Sequence, residues 1–296
     1  MTANPIFRGA ATALITPLTP DGIDFDAFAR VIDWQIAEGI SALVIAGTTG
    51  EGSTLSDEEH RAAAKFAVDH IAGRVPVIVG TGSNDTAYAV DLTRYCCEIG
   101  ADAMLVVTPY YNKATQNGLI KMYTTIADAS TKPLILYNVP SRTGVNLTPK
   151  SCAALADHPN IAAVKEASSN ISQIVELASL VGDKLDIYSG NDDQITPILA
   201  MGGAGVISVL SNVLPKKTQE ICDRFFNGDV KGSAQLQCEL LPLINALFSE
   251  VNPIPVKAAM SMMGYCENYL RLPLTQMEQE HQKVLIECMR AQGIVC

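Results

Sequence analysis

Short runs of apolar, β-favouring residues recur through most of the chain, and between them the apolar positions shift to helical spacing. The runs are AATALIT (10–16), ALVIAG (42–47), VPVIVG (75–80), AMLVVT (103–108), PLILYN (133–138), IAAVKE (161–166), LDIYSG (185–190) and AGVISV (204–209). Each of the first seven is followed by a loop and a helix-patterned segment. Runs continuously rich in Val, Ile and Leu suit parallel strands covered on both faces. Helix limits are legible too. Ser56 with Glu59 forms a capping-box pattern ahead of HRAAAKFAVDHIAG, with Gly73 as the stop, and Thr275 with Glu278 repeats the pattern ahead of the last helix. Eight runs alternating with helices predict an α/β fold, a (β/α)8 TIM barrel, over residues 1–224. A doubly wound open sheet is the competing arrangement. It would carry a G-x-G-x-x-G turn after the first run, where this chain has TPLTPDG. After Phe225 the rhythm stops, and three helical patterns in succession predict a C-terminal helical appendage over residues 225–296.

Barrel chemistry gathers at the C-terminal ends of the strands, so the run ends are where function is sought. They carry GTTGEG (47–52), TPYYNK (108–113), Tyr137-Asn138 leading into VPSRTG, Lys165-Glu166, and SGNDD (189–193). In the sixth run Ile161, Ala163 and Lys165 share one face, and Ala162, Val164 and Glu166 the other. A lysine facing the barrel axis is short of water, which favours the neutral amine. A neutral amine attacks ketones and forms a Schiff base, an electron sink for carbanion chemistry. The alternative is a lysine that snorkels to the rim and pairs with Glu166 or another acid. Tyr137 ends the preceding run, is expected beside Lys165 in the sheet, and has a phenol suited to moving protons to and from that amine. GTTGEG offers Gly47 and Gly50 for close approach and two threonine hydroxyls to a small anion, although the same stretch also reads as an ordinary tight turn.

Composition narrows the classes. At 296 residues and 48% hydrophobic, the chain can bury a large core. A net charge of −10 argues against nucleic acid or an anionic membrane as partner. No run is long enough for a membrane span, and Arg8 interrupts the only apolar stretch that could serve as a secretory signal. Eight cysteines without C-x-x-C spacing read as buried hydrophobes of a reducing compartment, so a cytoplasmic protein is expected. The four histidines lack metal-ligand spacing, and no metal or other cofactor is expected. Asp192 and Asp193, after the seventh run, would repel a phosphate and are expected to cap helices. The site suits a small carboxylated keto acid.

The motifs GTTGEG, TPYYNK, YNVPSRTG (137–144), VKEASSN (164–170), SGNDD and NPIPVKAAMSMMG (252–264) together resemble the dihydrodipicolinate synthase family, within the pyruvate-dependent class I aldolase superfamily. The resemblance covers nearly the whole chain. It implies a Schiff base between Lys165 and pyruvate. It also implies a proton relay of Tyr137, Thr48 and Tyr111, with Tyr111 reaching into a neighbouring subunit. Thr49 would hold the pyruvate carboxylate and Arg142 that of aspartate semialdehyde, with Gly190 and Ile207 lining the pocket. The product would be 4-hydroxy-tetrahydrodipicolinate, on the route to diaminopimelate and lysine, and the assembly a homotetramer built as a dimer of dimers. Sister enzymes such as N-acetylneuraminate lyase and keto-deoxy sugar-acid aldolases share the lysine and tyrosine; Arg142 and the Tyr110-Tyr111 pair match the synthase pattern. Asn84, His60 and Tyr110 match the family's lysine-feedback cluster. Tyr88 stands where lysine-sensitive members carry a glutamate, and Asp57 where they carry a histidine. Weak or absent feedback is therefore expected.

Overall fold

The computed structural model describes Thr2 and residues 4–294. Eight parallel strands close on themselves: β1 (Gly9–Ala13), β2 (Ala42–Ile45), β3 (Val77–Gly80), β4 (Ala103–Val107), β5 (Leu134–Asn138), β6 (Ile161–Glu166), β7 (Asp186–Ser189) and β8 (Gly205–Ser208). β1 pairs with both β2 and β8, which excludes the open sheet. The intervening helices are α1 (Phe25–Ala37), α2 (Asp57–Ile71), α3 (Thr86–Glu98), α4 (Gln116–Asp128), α5 (Pro149–Leu155), α6 (Ile171–Val181), α7 (Ile195–Ala200) and α8 (Pro215–Phe226). Three helices follow without a strand: α9 (Val230–Leu247), α10 (Ile254–Met262) and α11 (Gln279–Ala291). TPLTPDG folds into a two-residue antiparallel ladder, Leu18–Thr19 against Gly22–Ile23, a feature too short to read from periodicity.

Two apolar layers follow from strand alternation. Outward residues such as Leu43, Val79, Met104 and Val164 pack against the helices. Inward residues are small on several strands (Ala11, Ala42, Ala103, Ala163), and Phe7, just before β1, stacks on Tyr188 with ring centroids 4.2 Å apart. One end of the barrel interior is thereby filled, and the polar mouth lies at the strands' C-terminal ends.

The α2 capping box forms as expected: the Glu59 backbone N–H donates to the Ser56 side chain, and Glu59 accepts from the Ser56 backbone N–H. Ala72 takes the left-handed cap (φ 49°) just ahead of Gly73 (φ 75°). The second box does not form. Helix α11 starts at Gln279 after Glu278, which makes no side-chain cap of its own. Instead Glu250, distant in sequence, accepts from the Glu278 backbone N–H and contacts the His281 ring. A tertiary carboxylate takes the place of the local threonine. Asp192 is a cap across elements: its buried carboxylate accepts from the backbone N–H groups of Val209 and Leu210, at the start of the 3-10 turn Leu210–Asn212. Asp193 is exposed.

Candidate active site

Lys165 and Tyr137 are register partners on adjacent strands, and the inward set on β5 and β6 comprises Ile135, Tyr137 and Ala163. Ile161 departs from the expected face. The register shifts so that Leu134 pairs with Ile161 but Ile135 with Ala163, leaving Ala162 as an extra residue. A bulge of this kind reverses the alternation, and Ile161 joins the outer layer. The shift occurs before Lys165, whose orientation is unaffected.

The Lys165 side chain is 6% exposed, and Nζ lies 4.4 Å from the centroid of the Tyr137 ring. It has no hydrogen bond or ion pair among the described residues. Glu166 points to the other face. There the Asn138 side chain (3.0 Å), the Ser168 backbone N–H (2.6 Å) and Gln173 Nε2 (3.4 Å) donate to its carboxylate. The adjacent acid is therefore committed elsewhere, and the rim ion pair with Glu166 does not form. Gly190 makes room for the lysine: a Cβ there would stand 3.2 Å from Lys165 Cε and 2.7 Å from Ala167 Cβ.

Lys165, Tyr137, Thr48, Thr49, Arg142 and Gly190 line one cavity of about 180 Å³. That is below the ~300–1,000 Å³ of sites for drug-sized ligands and suits a molecule of a few heavy atoms. The loop after β2 is wound tightly, with Glu51 N–H donating to Thr48 O and Gly52 N–H to Gly47 O, both at 3.1 Å. A Cβ at Gly52 would lie 2.2 Å from Ala46 O, so only glycine fits there, whereas Gly47 meets nothing so close. Arg142 sits on the helical turn Pro140–Thr143 and donates through Nη2 to Asn252 O at 3.1 Å. Among the described residues, five of the six non-glycine residues at positive φ (Ala46, Glu51, Tyr111, Lys113 and Ser169) lie in or beside loops at this face. Such backbone costs ~1–3 kcal/mol per residue and concentrates where geometry is imposed for function.

Two expected residues lie outside this group. Ile207 is fully buried in the barrel interior, and Val209, two residues on, supplies the cavity wall. Tyr111 is 93% exposed and absent from the cavity of its own chain. Asn252 and Phe248, from the segment between α9 and α10, line the cavity although periodicity gave them no role. The motif NPIPVKAAMSMMG was the signal for Asn252, and Phe248 lies outside it.

A second cavity, of about 570 Å³, shares Thr48, Tyr137 and Arg142 and extends to Tyr110, Tyr88 and His60. The Tyr88 hydroxyl donates to Asp57 at 3.0 Å, and Asp57 also accepts from Arg61 Nε at 2.8 Å. The Arg61 guanidinium holds the Asp57 carboxyl below the usual carboxylate range, and burial, helped by Asp57, pushes the Tyr88 phenol up to about 12. Burial lowers the His60 imidazole; its Nε2 lies 2.8 Å from Gly80 O, which makes it the proton-bearing nitrogen. Asn84 donates to Tyr110 O at 3.2 Å.

A model of the dihydrodipicolinate synthetase family matches residues 6–292. The chain is 51% identical over 291 residues to 4-hydroxy-tetrahydrodipicolinate synthase of Caldicellulosiruptor saccharolyticus, covering 98% of this chain and 98% of the relative. The crystal structure of dihydrodipicolinate synthase from Thermotoga maritima superposes with a TM-score of 0.96 at 40% identity, covering 98% of this chain and all of that one. A structure described as a monomeric dihydrodipicolinate synthase variant also superposes with a TM-score of 0.96 at 40% identity, covering 98% of each chain.

Proposed function

The chain belongs to the dihydrodipicolinate synthetase family, and from that premise we propose how its own residues perform the family's chemistry. The reaction is the condensation of pyruvate with aspartate semialdehyde to 4-hydroxy-tetrahydrodipicolinate, a class I aldolase-type lyase step toward diaminopimelate and lysine. Lys165 Nζ attacks the keto carbon of pyruvate, and the carbonyl oxygen leaves as water once it has been protonated. The resulting iminium withdraws electrons from the adjacent methyl, which gives up a proton to form an enamine, and the enamine carbon bonds to the aldehyde carbon. The amino group of the semialdehyde then attacks the regenerated iminium carbon, closing the ring and displacing Lys165 as the free amine. The Tyr137 phenol carries protons between these species, with Thr48 and Tyr111 completing the relay. Thr49 holds the pyruvate carboxylate. Arg142 grips the carboxylate of the semialdehyde, for which a planar guanidinium is suited.

The observation carrying this reading is an enclosed lysine amine beside a tyrosine, with no hydrogen bond or ion pair to it among the described residues. Borohydride reduction in the presence of pyruvate should add one pyruvate-derived mass to the peptide containing Lys165, and Lys165→Ala should lose the adduct while keeping a cooperative melt. An adduct on another peptide, or none, would overturn the assignment. A coupled assay with aspartate semialdehyde and a dihydrodipicolinate reductase then tests the second substrate.

The homotetramer that the resemblance implies remains our proposal; the exposure of Tyr111 fits one part of it, a partner subunit at this face. A cytoplasmic location is supported by the cysteines: the seven described ones are all free, while Cys296 lies outside the described residues. Among the described residues no helix is long and apolar enough to cross a membrane. Weak lysine feedback is supported by the second cavity, whose acid, Asp57, is already engaged by Arg61 and Tyr88. A further ammonium there gains little from a carboxylate already neutralised.

A further inference from the structure

The segment that opens α10 grips the substrate loop from behind. Lys257, fully buried, donates to the Glu51 carboxylate (2.7 Å), to Thr16 O (2.7 Å) and to Tyr269 O (3.3 Å). Glu51 belongs to the same tight loop as Thr48 and Thr49. Five residues before Lys257 stands Asn252, 5% exposed, which touches both ends of the small cavity. Its Nδ2 donates to Thr49 Oγ1 at 3.0 Å, and its backbone carbonyl accepts from Arg142 Nη2 at 3.1 Å.

A threonine hydroxyl has one proton and two lone pairs. Once a lone pair of Thr49 Oγ1 is taken by the Asn252 amide, the hydroxyl proton must turn toward the remaining directions. Thr49 is itself buried, and its hydroxyl has no acceptor among the described residues, so that proton is available to an anion in the cavity. Asn252 thus sets the sense of the hydroxyl, and does so from a segment distant in sequence, just before α10, whose position is fixed by the Lys257–Glu51 pair.

We propose that Asn252 is a positioning residue with divided duties: its side chain orients the Thr49 hydroxyl for the keto-acid carboxylate, while its backbone carbonyl holds Arg142 for the carboxylate of the second substrate. The inference rests on the roles given above to Thr49 and Arg142. Its consequence is asymmetric. Truncating the side chain removes the first contact and leaves the second.

Steady-state kinetics and borohydride trapping on Asn252→Ala, Thr49→Val and the double variant test it. Asn252→Ala should raise the pyruvate KM roughly 10- to 100-fold, the scale of a hydrogen bond to a charged group. The semialdehyde KM should move by no more than about three-fold, within the effect of one neutral hydrogen bond. In the Thr49→Val background, where no hydroxyl remains to orient, the Asn252 change should add little, a non-additivity that general loosening of the fold does not produce. Equal rises in both KM values, or full additivity, would overturn the proposal, as would a normal pyruvate KM in Asn252→Ala when Thr49→Val raises it. If Thr49→Val alone leaves pyruvate binding intact, it is the role of Thr49 that falls. Should Asn252→Ala not fold, the isosteric Asn252→Asp serves: its oxygens only accept, so they draw the hydroxyl proton away, and pyruvate KM should rise further than with alanine. A wild-type pyruvate KM in that variant would equally sink the idea.

Discussion

Lys165 runs close past a glycine: a Cβ at Gly190 would stand 3.2 Å from its Cε. The inward alternation of β6 delivers its amine to the axis, and the missing side chain at Gly190 lets the chain pass. Glu166, one residue on, is held on the opposite face by three donors and exerts no pairing on it. Gly190→Ala should therefore act on both folding and chemistry. The new methyl would stand 2.7 Å from Ala167 Cβ and 3.1 Å from Glu166 O, so the backbone must shift, and 3.2 Å from Lys165 Cε, which must give by a few tenths of an ångström. Misplacement by ~1 Å costs about 100-fold in rate where geometry governs the step, and a smaller shift costs less. The expected result is a lowered melting temperature together with a kcat reduced by roughly 10-fold and pyruvate adduct formation slowed in parallel, read from the rate of borohydride trapping. Wild-type trapping in a folded Gly190→Ala protein would show that the space is not needed.

At the level of elements, the strand rhythm and the inward lysine were legible because both depend on residues within one strand. The bulge at Ala162, the glutamate that caps α11 and the reach of Asn252 into the cavity were not, since each depends on a contact between distant segments. The same separation governs stability. The Lys257–Glu51 pair joins α10 to the loop after β2 in full burial, and removing one partner of such a pair costs ~3–5 kcal/mol because the other charge stays behind. Lys257→Met should lower the melting temperature by about 10 °C, at ~2–4 °C per kcal/mol for a chain of this class. Lys257→Met combined with Glu51→Gln should recover part of the loss, since no unpaired charge remains; calorimetry on both variants distinguishes the cases. A second tie, Arg271 to Glu59, lies nearer the surface. Arg271 donates to both Glu59 oxygens and draws the carboxyl down from the usual 4.5 to about 2. A depressed carboxyl stabilises the fold above its unfolded value, and this contribution disappears as pH falls from about 4.5 toward 2. The melting temperature of Glu59→Gln, which keeps the Ser56 cap, should fall less steeply than that of the natural chain over this interval.

At the scale of the whole molecule, Tyr111 is the residue of the proposed relay that its own chain does not bring to the cavity. It stands at φ 71°, two residues from Lys113 at φ 55°, and the ring is 93% exposed. Left-handed backbone at two bulky residues is maintained against its own cost, yet within one chain the ring gains little contact. A symmetric partner would supply the missing surface: in a two-fold dimer each subunit's projecting ring would reach the other's site, so the contact occurs twice and each site is completed once. Complementation tests this directly. Tyr111→Phe subunits retain Lys165 but supply no phenol, and Lys165→Ala subunits supply the phenol without the amine. Each variant alone should be nearly inactive. Co-expressed in equal amounts and assembled at random, half the dimers would be mixed with one complete site of two, so activity should return to about a quarter of the natural level. If the mixture stays as inactive as its components while the mixed dimers are isolated intact, the phenol serves its own subunit, and the exposed conformation of Tyr111 needs a different cause.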